Sequence, residues 1–369
     1  MFEPQFSLSD ALKSRLRSID EANAYLKRLT FPDATMERLK KEALARTIYL
    51  VVHAEDSRVG YGAVARFLAQ VRGDGGASAH TIGRVCAAVK KARSLSETVM
   101  RLDEEDFVAL RLLLKGEIEG AHRPKGEKGP YRNAPKEVRA NAHRRIYTPA
   151  DHREIPLLMS DLFDWLGYET DEVHPIVKGI VAYFQILIVR PFFDDNCKLA
   201  WLLLLSTFAL NGLDFGGYVS LEESVFSGQS DFHKDVLHLV ATTYDPKNFS
   251  RSNFQPYILY LLPFVENTVT DRRLQLDRQH FNEVGGMLRN ADLNERQRKA
   301  LTYVADRGRI TNREYRELNG VRTRKRAWQE LTHLVDADLL HTVGQGCSVA
   351  YIFSPMIGSE TILKQLGNI

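Results

Sequence analysis

Cysteine is scarce in this 369-residue sequence. Cys86, Cys197 and Cys347 are odd in number and far apart, so they offer neither a disulfide framework nor metal-ligand spacing, and this usage fits a reducing cytoplasm. Long apolar runs are also lacking. The stretch 199–205 is among the longest and falls far short of the roughly 20 residues a bilayer requires, so no membrane partner is expected. The N-terminal segment MFEPQFSLSDALKSRLRS has no apolar core of the kind a secretory signal needs. No internal repeat or low-complexity tract is evident. A dominant charge sign is missing as well: 50 Lys and Arg face 47 Asp and Glu, a net +3. That excludes an overall basic coat for nucleic acid. The small total nevertheless conceals two basic blocks, +6 over residues 123–145 and +5 over residues 306–326, so the remainder carries −8.

What is present is a soluble globular composition, 44% hydrophobic and 26% charged, over a length that suits two or three domains. Apolar residues recur at three- and four-residue spacing, as in Leu39, Leu44, Ile48, Val51 and Val52 or Val64, Phe67, Leu68 and Val71, so the class is mainly α. Residues 104–119 read as a helix with acids in its first turn, and 120–139, rich in Gly, Pro and charge, read as an exposed loop. Helical spacing resumes at Glu154 and again after Asp171, with His174 and Pro175 near the start of a long apolar helix. Arg190-Pro191 must end that helix, because a residue before proline is pushed out of the helical region. A polar loop of about six residues follows. A second apolar helix then runs from about Cys197 to Leu210 and ends at Asn211-Gly212.

The C-terminal hundred residues change character. A helix over 293–306 stops at Gly308, Thr311 and Glu314 form a capping box for the next, and a third spans about 323–337. Residues 339–343 and 348–353 read as two strands around a glycine-bearing turn. Three short helices and a hairpin in that order resemble a winged helix-turn-helix domain. The resemblance implies that Arg322, Thr323, Arg324, Lys325 and Arg326, opening the third helix, face double-stranded DNA. The domains expected are an N-terminal helical region (1–103), a core (104–270), a linker helix (271–292) and this module (293–369).

The segment VRPFFDDNCKLAW, residues 189–201, preceded by HPIVKGIVAYFQILI, resembles the Fic (Fido) family and its motif H-P-F-x-D/E-G-N-G-R/K-x-x-R. Gly129-Pro130-Tyr131-Arg132 is similar to the family's G-x-Y-R element, and 145–149 to its flap. Tyr218-Val219-Ser220-Leu221 and residues 232–239 fit its closing helices. The resemblance covers about 104–239. It implies a Fic-fold helical core, and in the family an activity that transfers AMP from ATP to a protein hydroxyl with Mg2+. A protein target at the cleft and a homodimer are the partners it implies.

The motif is altered where the chemistry resides. The family's proton-accepting histidine is Arg190 here, and a guanidinium does not act as a base. Asp194 matches the magnesium-holding acid and Asn196 is retained. Asp195 and Cys197 replace the two glycines of the anion cradle, Lys198 fits the Arg/Lys position, and Trp201 replaces the last, phosphate-gripping arginine. Asp194, Asp195, Asn196, Cys197 and Lys198 are the residues the resemblance assigns to a nucleotide, and Asp194 to a metal. A phosphate oxygen about 4 Å from Asp195 would be repelled by about 4 kcal/mol at an effective dielectric of about 20. A competing reading makes Asp194, Asp195 and Asn196 chiefly caps of the following helix.

The family's inhibitory S/T-x-x-x-E-G/N helix has its only N-terminal counterpart in residues 45–52, whose two registers put Leu50 or Val51 at the glutamate position. His174 reads as a structural helix start, His122, His143 and His152 as solvent-exposed, and Cys197 has no His/Asn partner spacing to make it a nucleophile. The expectation is a binding or regulatory protein with a degenerate active site. The alternative is a divergent transferase that uses ATP or another donor with Mg2+ and acts on a protein hydroxyl.

Overall fold

The structure is a computed structural model that describes residues 1–54, 59–69, 77–117, 130–139, 145–167, 173–221, 225, 232–245, 252–345, 349–355 and 357–367. Expectations resting on His122, Gly129, His143, Cys347 and most of the 123–145 basic block lie outside the described residues. The chain divides into two compact units, Met1–Lys27 with Arg38–Asp271, and Arg28–Glu37 with Arg272–Ile369. It is mainly helical with a small β-hairpin region, as the periodicities require.

The first unit contains α1 (Asp10–Arg28) except its last residue, α2 (Asp33–His53) from Arg38 onward, α3 (Tyr61–Leu68), α4 (Ala77–Ser94), α5 (Glu104–Lys115), β1 (Val138–Arg139), β2 (Arg145–Tyr147), α6 (Ile155–Gly167), α7 (Pro175–Val189), α8 (Asn196–Leu210) and α9 (Phe232–Thr243). Helix α10 (Gln255–Asn290) continues without a break into the sequence of the second unit. Local chemistry sets several boundaries. The Asp103 carboxylate accepts the Asp106 N–H at the start of α5, and Gly116 ends that helix in the left-handed conformation at φ 72°. Pro175 occupies the first turn of α7, where its missing N–H costs nothing.

Helices α7 and α8 are the antiparallel centre of this unit. Almost every α7 side chain is buried, and α8 is buried on all faces along most of its length, a pattern that only a central helix pair can satisfy. Gly179 permits their close approach, since a Cβ there would come within 2.6 Å of the Phe208 ring. Full burial of each Leu, Ile or Val in the pair contributes about 1.5–3 kcal/mol.

Residues 130–139 correct one expectation. They are exposed only in part: Asn133, Pro135, Glu137 and Arg139 are exposed, but Tyr131, Arg132 and Val138 are buried, and Val138 and Arg139 pair antiparallel with Tyr147 and Arg145. The run of Gly, Pro and charged residues signals irregular backbone correctly, but exposure does not follow, because the Arg132 side chain satisfies nearby carbonyl oxygens.

In the second unit, α11 (Glu295–Arg307) starts with a capping box of Asn294 and Gln297 and ends at Gly308. The box of Thr311 and Glu314 opens α12 (Asn312–Asn319) where the sequence places it. Helix α13 (Arg324–Asp336), β4 (Leu340–Val343), β5 (Ala350–Phe353) and α14 (Ser359–Leu366) follow. A strand that sequence spacing does not announce, β3 (Ile310–Thr311), pairs with β5, giving the antiparallel order β3-β5-β4. Two residues are too few to carry a period. Leu301, Val304, Ile310, Tyr315, Leu331, Leu334, Leu340 and Tyr351 form the core. Phe31, from the separate segment Arg28–Glu37, is buried with its ring edge-on to His280 at 5.7 Å, and the Thr30 hydroxyl donates to the Pro355 carbonyl at 2.5 Å.

Candidate functional site

The turn from Arg190 to Asn196 links α7 to α8, and two left-handed residues bracket it. Arg190 has φ 46° and ψ 68°, because Pro191 bars it from the right-handed helical region. Asp195 has φ 60°, at the position where the family motif carries glycine; aspartate is one of the few side chains that tolerate this conformation. Each such residue stores on the order of 1 kcal/mol of strain, which surrounding bonds must offset.

Asn196 supplies three of those bonds. Its side-chain oxygen accepts the Phe192 N–H at 3.1 Å, and its amide donates to the carbonyl oxygens of Phe192 at 2.9 Å and Asp194 at 3.2 Å. The side chain is completely buried, at 0% exposure. The capping reading is thereby corrected: the Asp195 side chain makes no cap bond to α8, and Asn196 binds the loop backbone instead. Arg132 holds the turn from outside. Its guanidinium donates to the carbonyl oxygens of Arg190 at 2.9 Å and Val189 at 3.4 Å and also to that of Ala150, while its own N–H donates to the Pro191 carbonyl at 2.9 Å. Lys136 donates to the Phe193 carbonyl.

Arg190 is buried, and its Nε donates to the Tyr147 hydroxyl at 3.0 Å. One terminal nitrogen lies 3.7 Å from Cys197 Sγ. Tyr147 in turn donates to the Leu187 carbonyl, and burial pushes its phenol pKa upward against the opposing pull of Arg190. Trp201, at the motif's last arginine position, is 2% exposed. It lies among aromatic rings, 4.7 Å from Tyr183 and stacked at 5.9 Å on Phe232. Phe192 is covered by the Arg111 guanidinium, 4.4 Å from the ring centre.

The acids of the turn face cations. Lys115, at the end of α5, reaches Asp194 at 2.5 Å and Asp195 at 3.1 Å; Lys198 reaches Asp195 at 2.8 Å. Burial alone would raise the Asp195 pKa, but the bonds and charges of Lys198 and Lys115 outweigh it and hold the carboxyl below its usual range. Burial likewise works against the Lys115 charge, and its two carboxylate partners raise its pKa overall. The expected anionic field of Asp195 is therefore largely neutralised within the turn. The same pairing bears on the divalent cation that the family resemblance implies. Asp194 is 56% exposed at its side chain but already carries an ammonium, and no group of three His, Cys, Asp or Glu able to hold a metal exists among the described residues. As arranged, these residues do not fit a divalent cation.

The structure thus gathers Arg190, Asp194, Asp195, Asn196, Cys197 and Lys198 in one turn. It places Arg322, Thr323, Arg324, Lys325 and Arg326 in the second unit, all five exposed at the start of α13. Sequence reasoning missed Lys115 because a lysine in the last turn is what the helix dipole alone would favour, and nothing local shows that it meets an acid 79 residues later. His174 accepts the Ile176 N–H at 3.2 Å and caps α7, and His152 is half-buried beside Asp151 at 3.3 Å, not open to solvent as expected. In the segment compared with the inhibitory helix, Leu50 and Val51 are both buried. The Thr47 hydroxyl accepts a bond from Arg93 at 2.8 Å, and Arg93 also reaches the Val219 carbonyl at 3.4 Å, beyond the far end of α8.

No family model matches this sequence, and no curated protein matches it. Solved structures do. A Fic family protein from Desulfovibrio desulfuricans superposes with a TM-score of 0.58 at 16% identity, covering 95% of this chain and 98% of that one. A Fic domain containing signaling protein from Bacteroides thetaiotaomicron gives 0.54 at 16% identity, over 71% of this chain and 98% of that one. Fic-1 from C. elegans gives 0.52 at 19% identity, over 72% and 73%.

Proposed function

We propose that this chain, whose fold is that of the Fic proteins, acts as a binding or regulatory protein and not as an AMP transferase. The observation that supports this most is Arg190. It stands where the Fic motif has its base, stays protonated at any physiological pH, and is held by Tyr147 and Cys197. Losing a general base costs on the order of 10²–10⁴-fold in rate. The pairing of Asp194 and Asp195 with Lys115 and Lys198 and the aromatic packing of Trp201 support the same reading, since each stands where the motif would receive a phosphate or its cation.

The test is incubation of the full chain with labelled ATP and Mg2+ or Mn2+, alone and in a cell lysate. No transfer is expected, and Arg190→His alone should not create it, because Lys115 still pairs with the acids. Label on any protein that disappears in Asp194→Ala would instead establish the divergent transferase.

Binding, in this reading, runs through the second unit, taken as a winged helix-turn-helix. Arg322, Arg324 and Lys325 are exposed together at the start of α13, beside Thr323, Arg326 and the 54% exposed Trp328. Such a helix end presents its cations to phosphates while its polar side chains meet base edges. A duplex-DNA mobility shift should weaken steeply with salt, and Arg324→Ala with Lys325→Ala should reduce the slope of log affinity against log salt by about 2. An unchanged slope would remove this helix from the interface.

A further inference from the structure

Helix α13 turns Ala327, Leu331 and Leu334 into the core of the second unit. At about 100° per residue, the side of the helix opposite those three carries Lys325, Gln329 and Asp336. All three are exposed. The charge along this line changes sign from one end to the other. Lys325 stands in the first turn, with Arg322 and Arg324 beside it, and none of these three cations makes an ion pair among the described residues. Arg326 differs, because Glu330 of its own helix holds it at 3.4 Å.

Asp336, in the last turn, makes no ion pair among the described residues either. Phosphates repel it, and the negative end of the helix dipole adds to that repulsion, so a duplex meets only the N-terminal half of α13. The hairpin that follows adds no charge to the hold on DNA. Residues 339–353 contain no Lys, Arg, Asp or Glu, including 346–348, which lie outside the described residues. The polar side chain on the outward line between the cations and Asp336 is Gln329. It lies four residues, about 6 Å along the axis, beyond Lys325, and its amide makes no hydrogen bond among the described residues.

We propose that Gln329 selects the DNA site of this chain by pairing with an adenine in the major groove. This rests on the reading of the second unit as a DNA-binding module. A carboxamide carries a donor and an acceptor side by side, which match N7 and the N6 amino group of adenine. Arg324 and Lys325 meet phosphates, which position the helix without reading sequence. Arg326, engaged by Glu330, takes no part.

The test selects duplexes from a library randomised at its centre, using the full chain and then its variants. The unaltered chain should enrich sites with one invariant adenine. Gln329→Ala should abolish the preference at that position and weaken binding to the selected site about tenfold, with the salt slope unchanged. Gln329→Glu should move the preference to cytosine, whose N4 amino group donates to a carboxylate. Lys325→Ala should instead weaken selected and unselected duplexes alike. Thermal melting checks that each variant folds. A selected site that Gln329→Ala binds as tightly as the unaltered chain does, or a loss equal for selected and unselected duplexes, would overturn the assignment and leave the DNA-binding reading standing. No salt-dependent binding by the unaltered chain would overturn that reading and the assignment with it.

Discussion

Asn196 shows how one side chain makes a strained turn tenable. Its three bonds to the backbone of Phe192 and Asp194 satisfy groups that the left-handed residues Arg190 and Asp195 would otherwise leave without helical partners. Removing a buried partner exposes the full desolvation cost of the groups it served, about 1–3 kcal/mol each. Asn196→Ala should therefore destabilise the first unit by about 2–4 kcal/mol in urea unfolding. A change within experimental error would mean that Arg132 alone holds the turn. The retention of Asn196 in an altered motif accordingly has a structural explanation that needs no nucleotide. Much at this scale was legible in the sequence: Pro191 requires the break after Val189, and the six-residue polar run requires a turn. The partners were not, because Arg132, Tyr147 and Lys115 lie 58, 43 and 79 residues from the groups they bind in the turn.

Among elements, α13 is secured to its neighbours through one carboxylate. Glu330 receives Arg296 of α11, the Tyr315 hydroxyl of α12 at 2.7 Å and Arg326 of its own helix at 3.4 Å. The Arg296 bond is the main cause that brings its pKa down to about 2, against burial, with Tyr315 and Arg326 helping. A carboxyl depressed in the folded state stabilises above its unfolded value near 4.5, and that contribution is lost as pH falls through about 2. From the size of the shift it amounts to about 3 kcal/mol. Acid titration of thermal stability should thus show a steep loss between those values for the second unit. Glu330→Gln should be less stable at pH 7 and should flatten that slope; an unaltered slope would assign the acid sensitivity to other carboxylates. The helices and caps around Glu330 follow from local sequence pattern, Thr311 and Glu314 included. Their junction does not, since Glu330 reads simply as a polar residue on an amphipathic helix.

For the whole molecule, the main departure from a sequence-ordered division is the membership of Arg28–Glu37 in the second unit. A chain read by periodicity keeps neighbours together, and nothing in LTFPDATM announces a partner 250 residues away. Phe31 is the chief apolar contribution of the segment. Phe31→Ala should cost about 3–5 kcal/mol and should appear in the unfolding transition of the second unit, followed through Trp328, which lies in that unit. A shift confined to the transition of the first unit would contradict the assignment. The large helical architecture was legible because buried central helices read as near-continuous apolar runs. The charge distribution was legible only in part: the basic residues Arg322, Arg324, Lys325 and Arg326 are exposed, whereas at the turn the acids that looked uncompensated meet lysines from two helices.

The discontinuous second unit also sets an order of events during synthesis. Phe31 leaves the ribosome before all of Arg38–Asp271, and its ring partner His280 follows only afterwards. At about 5–20 residues per second, that interval is roughly 10–50 s. Throughout it, a phenylalanine that is buried in the finished protein waits for the rest of its unit to be made.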